Sequence, residues 1–335
     1  MTVYISMPIV DAATPEGNSH FHQLAWQTYK GLQNRLGESE VVYVPRFGLI
    51  PPFDETKDWL MCDWTRLRDC DHFPRNRVIL IDNSNFDSQK KDYSQQSYYT
   101  KYGLQVPIDS CPDFEQRLKG IPGALYLSND VAINKWNTNH SDTLPNKRSL
   151  QSLIQKIEIM THPVDKQYWG QWFSPNNIGK KLLVYHHGGR KNSYQYIELL
   201  MRMGYSNTTQ YNVVSHIDKT PENLARLNKE YFGVVNCSFS ESGPANMIEY
   251  LFQGLLVIGC EEWWSGYGEP RTIWTYDPAR RNEMENNIRW LMNPANLEEI
   301  RITRNHIRTE HMVRTDNDWN YCVNKLVELI NHAKE

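Results

Sequence analysis

The sequence has no apolar run long enough to cross a bilayer as a helix. That takes about 18 consecutive apolar residues, and the longest strong runs here, such as 255–258, are strand-sized. The start, "MTVYISMPIVDAATPEG", has no basic stretch ahead of its short apolar one, so no signal peptide is expected. Six cysteines (Cys62, Cys70, Cys111, Cys237, Cys260 and Cys322) are scattered without a C-x-x-C pair. This argues against a disulfide framework or a zinc knuckle and for a reduced, cytoplasmic setting. Charge of one sign is lacking too: a formal net charge of −3 excludes indiscriminate coating of nucleic acid or an anionic membrane, though not a local basic groove. No repeat of fixed period, low-complexity tract, G-x-G-x-x-G fingerprint or P-loop occurs.

What is present fits a globular chain. With 335 residues, 40% apolar and 22% charged, it is long enough for two domains, each with its own core. Short apolar runs at 3–5, 41–44, 78–81, 124–127, 182–185, 211–214, 234–237 and 255–258 read as strands. Amphipathic stretches near 20–36, 113–118, 149–160, 194–203, 221–230, 245–253, 282–292, 297–310 and 318–334 read as helices. The alternation predicts an α/β protein with parallel sheets. "THPVDKQYWGQWFSPNNIGKK" (161–181) reads as the junction between an N-terminal domain over 1–165 and a second domain over 166–312. The closing helix, 313–335, carries an apolar stripe at Trp319, Cys322, Val323, Leu326, Leu329 and Ile330, which needs a partner surface and is expected to pack back on the first domain.

Chemistry concentrates in "SESGPANMIEYLFQGLLVIGC" (240–260). A strand leads into Glu241, Ser242 and Gly243. Pro244 suits the first helical position, and Gly254 suits the position just past the helix end. A ligand at the carboxyl end of that strand would meet Glu241, the loop amides and the helix start together. Asn246 and Glu249 lie on the helix itself. Glu249 is too far along to be a cap; turned inward, it can accept two hydrogen bonds from vicinal hydroxyls such as a ribose presents. Glu241 can accept from hydroxyls farther along the same ligand. Two glutamates at this spacing also occur on ordinary solvated helices.

"KLLVYHHGGRKNSYQYIELLMRMGY" (181–205) supplies the complementary charge. After a strand, Gly188 and Gly189 allow close backbone approach to phosphates, Arg190 can fork onto their oxygens, and Lys191 adds a point charge. The plain alternative is a strand–turn–helix with two surface cations. His186 and His187 do not read as metal ligands, because neighbours on a strand point to opposite faces; Asp69-Cys70-Asp71 has the letters of a D-x-D motif but precedes a strand instead of following one.

In the first domain, Gly17 and Asn18 precede an amphipathic helix that opens with His20 and His22, candidate site residues or ordinary surface histidines. "GALYLSNDVAINKW" ends a strand near Asp130, where a carboxylate can act as a general base or simply form a turn. "NSNFDSQKKDYSQQSYYTKYG" (83–103) mixes Lys90, Lys91 and Lys101 with Tyr98 and Tyr99. That pattern can hold phosphates and stack bases, or it can be a polar loop.

The 241–259 segment resembles the E-x7-E region of GT-B-fold glycosyltransferases. The resemblance implies two Rossmann-like domains facing across a cleft, with Glu241 on the donor sugar, Glu249 on the nucleotide ribose, and the acceptor held by the first domain. The wider order of features is similar to that of the phage DNA β-glucosyltransferases. This implies Asp130 as base, Arg190 and Lys191 on the diphosphate, a UDP-sugar (by default UDP-glucose) as co-substrate, no required cofactor or metal, and no membrane. The implied acceptor is a hydroxymethylated pyrimidine in double-stranded bacteriophage DNA, with host cytoplasm as the setting. A base within a duplex would have to be flipped out first. Acidic net charge departs from that pattern. A glycan, lipid or small-molecule acceptor stays open, as do retention instead of inversion and binding of a sugar nucleotide or nucleic acid without turnover.

Overall fold

In a computed structural model of the chain, residues 1–7, 20–44, 49–62, 67, 72–82, 118–127, 153–186, 193–215, 220–236, 245–260, 275–276, 281–316 and 318–335 are described. In chain order the elements are β1 (Val3–Ser6), α1 (His20–Leu36), β2 (Val41–Tyr43), β3 (Trp59–Cys62), β4 (Val78–Asp82), β5 (Ile121–Leu127), β6 (Ile154–Met160), α2 (Lys166–Gly170), β7 (Lys181–Tyr185), α3 (Tyr194–Arg202) and β8 (Tyr211–Val214). They continue with α4 (Pro221–Glu230), β9 (Tyr231–Asn236), α5 (Ala245–Gln253), β10 (Leu256–Cys260), β11 (Thr275–Tyr276), α6 (Arg281–Leu291), α7 (Leu297–Val313) and α8 (Trp319–His332). Two compact units result: one holds β1 to β6, α1 and α8, and the other, Val164–Arg314, holds the rest.

The pairings between these strands are all parallel. Parallel sheets are covered on both faces, which is why their strands read as unbroken apolar runs. In the first unit the order is β2-β1-β3-β4-β5-β6. Alternate side chains go to opposite faces. Tyr4, Leu60, Leu80, Ala124 and Tyr126 build one core layer. Val3, Ile5, Trp59, Met61, Ile79, Ile81, Leu125 and Leu127 build the other, beneath α1 and α8. The stripe of α8 is spent there: Cys322, Val323, Leu326, Leu329 and Ile330 are all buried. Contact is close enough that a Cβ on Gly123 of β5 would come 2.8 Å from Leu329.

One expected element changes type. Residues 149–160 read as a helix, but 154–160 form β6, the edge strand beside β5. As an edge strand it is only half covered, so charges enter the pattern: Lys156 and Glu158, two apart and on one face, pair at 3.4 Å, and Glu158 also meets Lys325 of α8 at 3.4 Å. Lys156-Ile157-Glu158-Ile159 keeps the alternation of a half-covered strand, but Leu150, Leu153, Ile154 and Ile157 also fall at helical spacing, which favoured the helix. β3, β11 and α2 were not anticipated either.

The second unit has the order β11-β10-β9-β7-β8 around one apolar cluster. Its register sets Val214, Tyr185, Asn236, Gly259 and Thr275 side by side across the carboxyl ends of the five strands.

Candidate functional site

Within the second sheet the chain runs from β7 outward to β8, then returns past β7 to lay down β9, β10 and β11 on the other side. The reversal between β7 and β9 is a topological switch point. In open α/β sheets, connections leaving such a pair of strands diverge and open a crevice for ligands beyond their carboxyl ends. The chain enters 187–192 from the end of β7 and 237–244 from the end of β9, so both motif-bearing segments depart from the two strands that flank the switch.

At the end of β7 stands His186. Its backbone N–H donates to the Val214 carbonyl at 2.7 Å, its Nδ1 lies 2.7 Å from Ser193 Oγ, and its ring packs on Tyr194 with centroids 4.7 Å apart. Buried Asn236 closes β9 at the neighbouring position.

Beyond β9, α5 is buried along nearly its whole length; Asn246 alone is half-exposed. Its polar residues Asn246, Glu249 and Gln253 fall at i, i+3 and i+7, a single stripe on an apolar helix. Glu249 is 0% exposed. Burial raises the phenol pKa values of Tyr168 and Tyr250, and the nearby Glu249 charge adds to the rise in both, with Asp165 acting more strongly than Glu249 on Tyr168. Both tyrosines therefore stay protonated at neutral pH beside the carboxylate. The Gln253 amide makes no hydrogen bond among the described residues.

The far end of α5 is fixed firmly. Gly254, at φ +94°, closes the helix with its N–H on Leu251 O at 3.0 Å and that of Leu255 on Tyr250 O at 3.0 Å, a Schellman cap. From α7, Arg304 donates to Gly254 O, Ser174 O and Asn177 O. Arg308 donates to Phe252 O at 2.8 Å and lies 3.8 Å over the Phe173 ring. Burial pulls the Arg304 pKa down to about 10, still cationic at neutral pH, so two guanidinium groups answer the negative end of the helix. The whole helix, and Glu249 with it, is held in one orientation.

Among the sequence-predicted site residues, Asn246 and Glu249 share the α5 stripe, and His20 and His22 stand in the first turn of α1. Gly17, Asn18, Lys90, Lys91, Tyr98, Tyr99, Lys101, Asp130, Gly188, Gly189, Arg190, Lys191, Glu241, Ser242 and Gly243 lie outside the described residues. Sequence reasoning passed over His186 as an anchor, Tyr168 beside Glu249, and the α7 arginines. The interval of four from Arg304 to Arg308 on one helix face was the available signal for the last. Among the described residues no group of three or more His, Cys, Asp or Glu is placed to hold a metal ion, and no helix is long and apolar enough to cross a membrane.

No protein-family model matches the sequence, and no curated protein matches it. Solved structures do. Trehalose-6-phosphate synthase, in a study of enzymatic glycosyltransfer with retention, aligns at TM-score 0.61 and 9% identity over 99% of both chains. Sucrose-phosphate synthase from Thermosynechococcus elongatus aligns at 0.56 and 10% identity over 99% of this chain and 98% of that one. The S. aureus protein TarM, solved with UDP, aligns at 0.55 and 12% identity over 82% of this chain; the match covers 55% of TarM. These likenesses show the fold, which is that of the GT-B glycosyltransferases.

Proposed function

We propose that the chain is a glycosyltransferase that moves a sugar from a nucleotide-sugar donor, by default UDP-glucose, to a hydroxyl. The observation that carries this reading is the switch point: the cationic glycine segment and the glutamate segment follow neighbouring interior strands, β7 and β9, at the carboxyl end of one sheet. TarM, of the same fold, was solved with UDP.

In this reading Glu249 accepts the ribose hydroxyls, while Glu241, Ser242, Gly243 and Asn246 meet the sugar and phosphates. Gly188, Gly189, Arg190 and Lys191 take the diphosphate. The acceptor oxygen attacks the anomeric carbon as the carbon–phosphate-oxygen bond breaks, and negative charge grows on the departing nucleoside diphosphate. Fixed cations at that position bind the transition state better than the ground state, which raises the rate. With Asp130 taking the hydroxyl proton the reaction is a single displacement with inversion; with retention, no protein base is needed. Glu249 is fully buried, so a ribose reaches it only as neighbouring side chains move aside.

For the acceptor we propose a hydroxymethylated pyrimidine in DNA, with Lys90, Lys91, Lys101, Tyr98 and Tyr99 on the nucleic acid and Gly17, Asn18, His20 and His22 near the sugar. A glycan acceptor is the second reading, favoured by the likeness at TM-score 0.51 and 12% identity to WaaB, a lipopolysaccharide outer core galactosyltransferase. The test is UDP release from UDP-glucose and other UDP-sugars, with and without hydroxymethylated DNA or lipopolysaccharide core. Release that rises with the DNA and falls steeply with salt supports the first acceptor; release only with the glycan supports the second. Glu249→Gln should weaken UDP binding by about tenfold or more, the scale of a lost charge-assisted hydrogen bond, whereas Asp130→Ala should slow turnover with UDP affinity kept. No release from any donor, and no UDP binding, would remove the transferase reading.

A further inference from the structure

Glu249 is fully buried, but one of the side chains bordering it is not. The short helix α2 packs along α5. Tyr168 of α2 stands beside Glu249, near enough for the carboxylate charge to act on its phenol. Five residues on, Phe173 lies against Gly254, where a Cβ would come 2.5 Å from the ring. Glu249 and Gly254 are also five apart, so 168–173 and 249–254 run side by side in the same direction. The backbone of that segment is pinned. Asp165 Oδ1 accepts from the N–H of Tyr168 at 2.8 Å, Lys166 Nζ donates to the Met312 and Arg314 carbonyls, and Asn228 donates to Trp172 O at 2.7 Å. The Tyr168 ring is less confined: it is 39% exposed and meets Trp169 and Trp172 edge-on, with centroids 5.0 and 5.2 Å away. A ring so placed turns about its own side-chain bonds while the backbone stays where it is.

We infer that Tyr168 is a removable cover over Glu249 and that, by making the ligand take its place, it selects sugars with two adjacent hydroxyls. This rests on the proposal that Glu249 accepts the ribose hydroxyls. With the ring in place, the carboxylate is shut off from water on that side. A sugar that displaces the ring enters a site without solvent, so hydrogen bonds to the carboxylate from that side have to come from the sugar itself. Two vicinal hydroxyls supply a pair of them. A 2′-deoxy sugar supplies one and leaves a carboxylate oxygen short, which is costly in a dry interior. In an open site water fills the gap, and the preference shrinks. Tyr168 is a positioning residue in this role and takes no part in making or breaking bonds.

Three proteins test the cover: the parent, Tyr168→Ala, which removes the ring, and Tyr168→Phe, which keeps it. A water-soluble carbodiimide with glycine ethyl ester tags carboxylates that solvent reaches, and peptide mass spectrometry reads Glu249 without any ligand. Glu249 should be tagged at least about tenfold faster in Tyr168→Ala, because an open state of roughly 10% or less in the parent becomes the only one. Tyr168→Phe should be tagged at the parental rate. In titrations, the parent and Tyr168→Phe should prefer UDP over 2′-deoxy-UDP by about tenfold or more, the scale of one hydrogen bond to a charged group. In Tyr168→Ala, where water replaces the missing hydroxyl, the preference should fall to about threefold or less. Equal tagging in all three proteins would overturn the cover. Faster tagging of Tyr168→Ala together with faster amide exchange along α5 would replace it with a general loosening of the helix. Faster tagging with an undiminished preference for UDP would overturn the selection and keep the cover. A parent chain that binds neither nucleotide would sink the donor reading instead, and tagging would still decide whether the cover exists.

Discussion

Glu249 and His186 illustrate what single positions disclosed. Glu249 was singled out for its place more than a turn past a helix-starting proline, where a solvated face was the plain alternative; its complete burial on α5 and its effect on two phenols could not be read from the sequence. His186 was weighed only as a metal ligand. Its partner, Ser193, is seven residues away, and no periodicity of strand or helix links two positions at that interval. Burial also sets a residue-scale prediction in the first unit. Complete burial in α8 pushes the Cys322 thiol from an ordinary value near 9 up to about 12. Between those values the unfolded chain sheds a proton that the native state keeps, so native stability, fully present below pH 9, is lost progressively as pH rises toward 12. Burial raises the Tyr43 phenol to about 12 and adds loss of the same sign above pH 10. Between pH 9 and 10 the unfolding free energy from urea melts should fall in the parent by about 1 kcal/mol more than in Cys322→Ala, most of the roughly 1.4 kcal/mol per pH unit that a full proton carries. Equal slopes would mean the thiol ionises freely in the fold.

At the scale of elements, termini were easier to read than types. Gly254 was expected just past a helix, and it stands there at φ +94° with both Schellman hydrogen bonds. Gly204 closes α3 by the same motif at φ +81°, with its N–H on Met201 O and that of Tyr205 on Leu200 O, each at 3.0 Å. β6 was misread because Leu150, Leu153, Ile154 and Ile157 repeat at helical spacing across its start, and only its pairing with β5 decides the matter. β3 was missed because "WLMC" holds no β-branched residue. The two capping glycines make a controlled pair. A Cβ on Gly204 would meet nothing within 4 Å, while one on Gly254 would strike the Phe173 ring that Arg308 covers. Gly204→Ala should therefore cost only left-handed strain, about 1 kcal/mol, and Gly254→Ala about 2–4 kcal/mol once the overpacking is added. Denaturant melts of the second unit read the difference, and matching losses would show that Phe173 yields freely.

For the whole molecule, each unit is its own doubly covered parallel sheet, and each reverses strand order between its first and third strands, β1 and β3 in one, β7 and β9 in the other. Two α/β units with parallel sheets followed from the alternation of runs; the reversals did not. Nor did the placing of both cationic and acidic segments at the second reversal, since strand order is a long-range property that no local pattern encodes. The separation of cores makes the donor assignment testable without chemistry. One apolar cluster serves Val164–Arg314, and two others serve the first unit. A nucleotide held at the ends of β7 and β9 stabilises the native form of that unit by mass action, about 2.7 kcal/mol at a hundredfold excess over Kd. Amides in β7, β9, β10 and α5 that exchange through unfolding of the unit should then slow roughly a hundredfold with UDP. Those of β1, β3, β4 and β5 should keep their rates if the units open independently. Equal slowing in both would mean that they unfold as one body, and slowing confined to β1, β3, β4 and β5 would move the nucleotide to the other unit and overturn the assignment of Glu249.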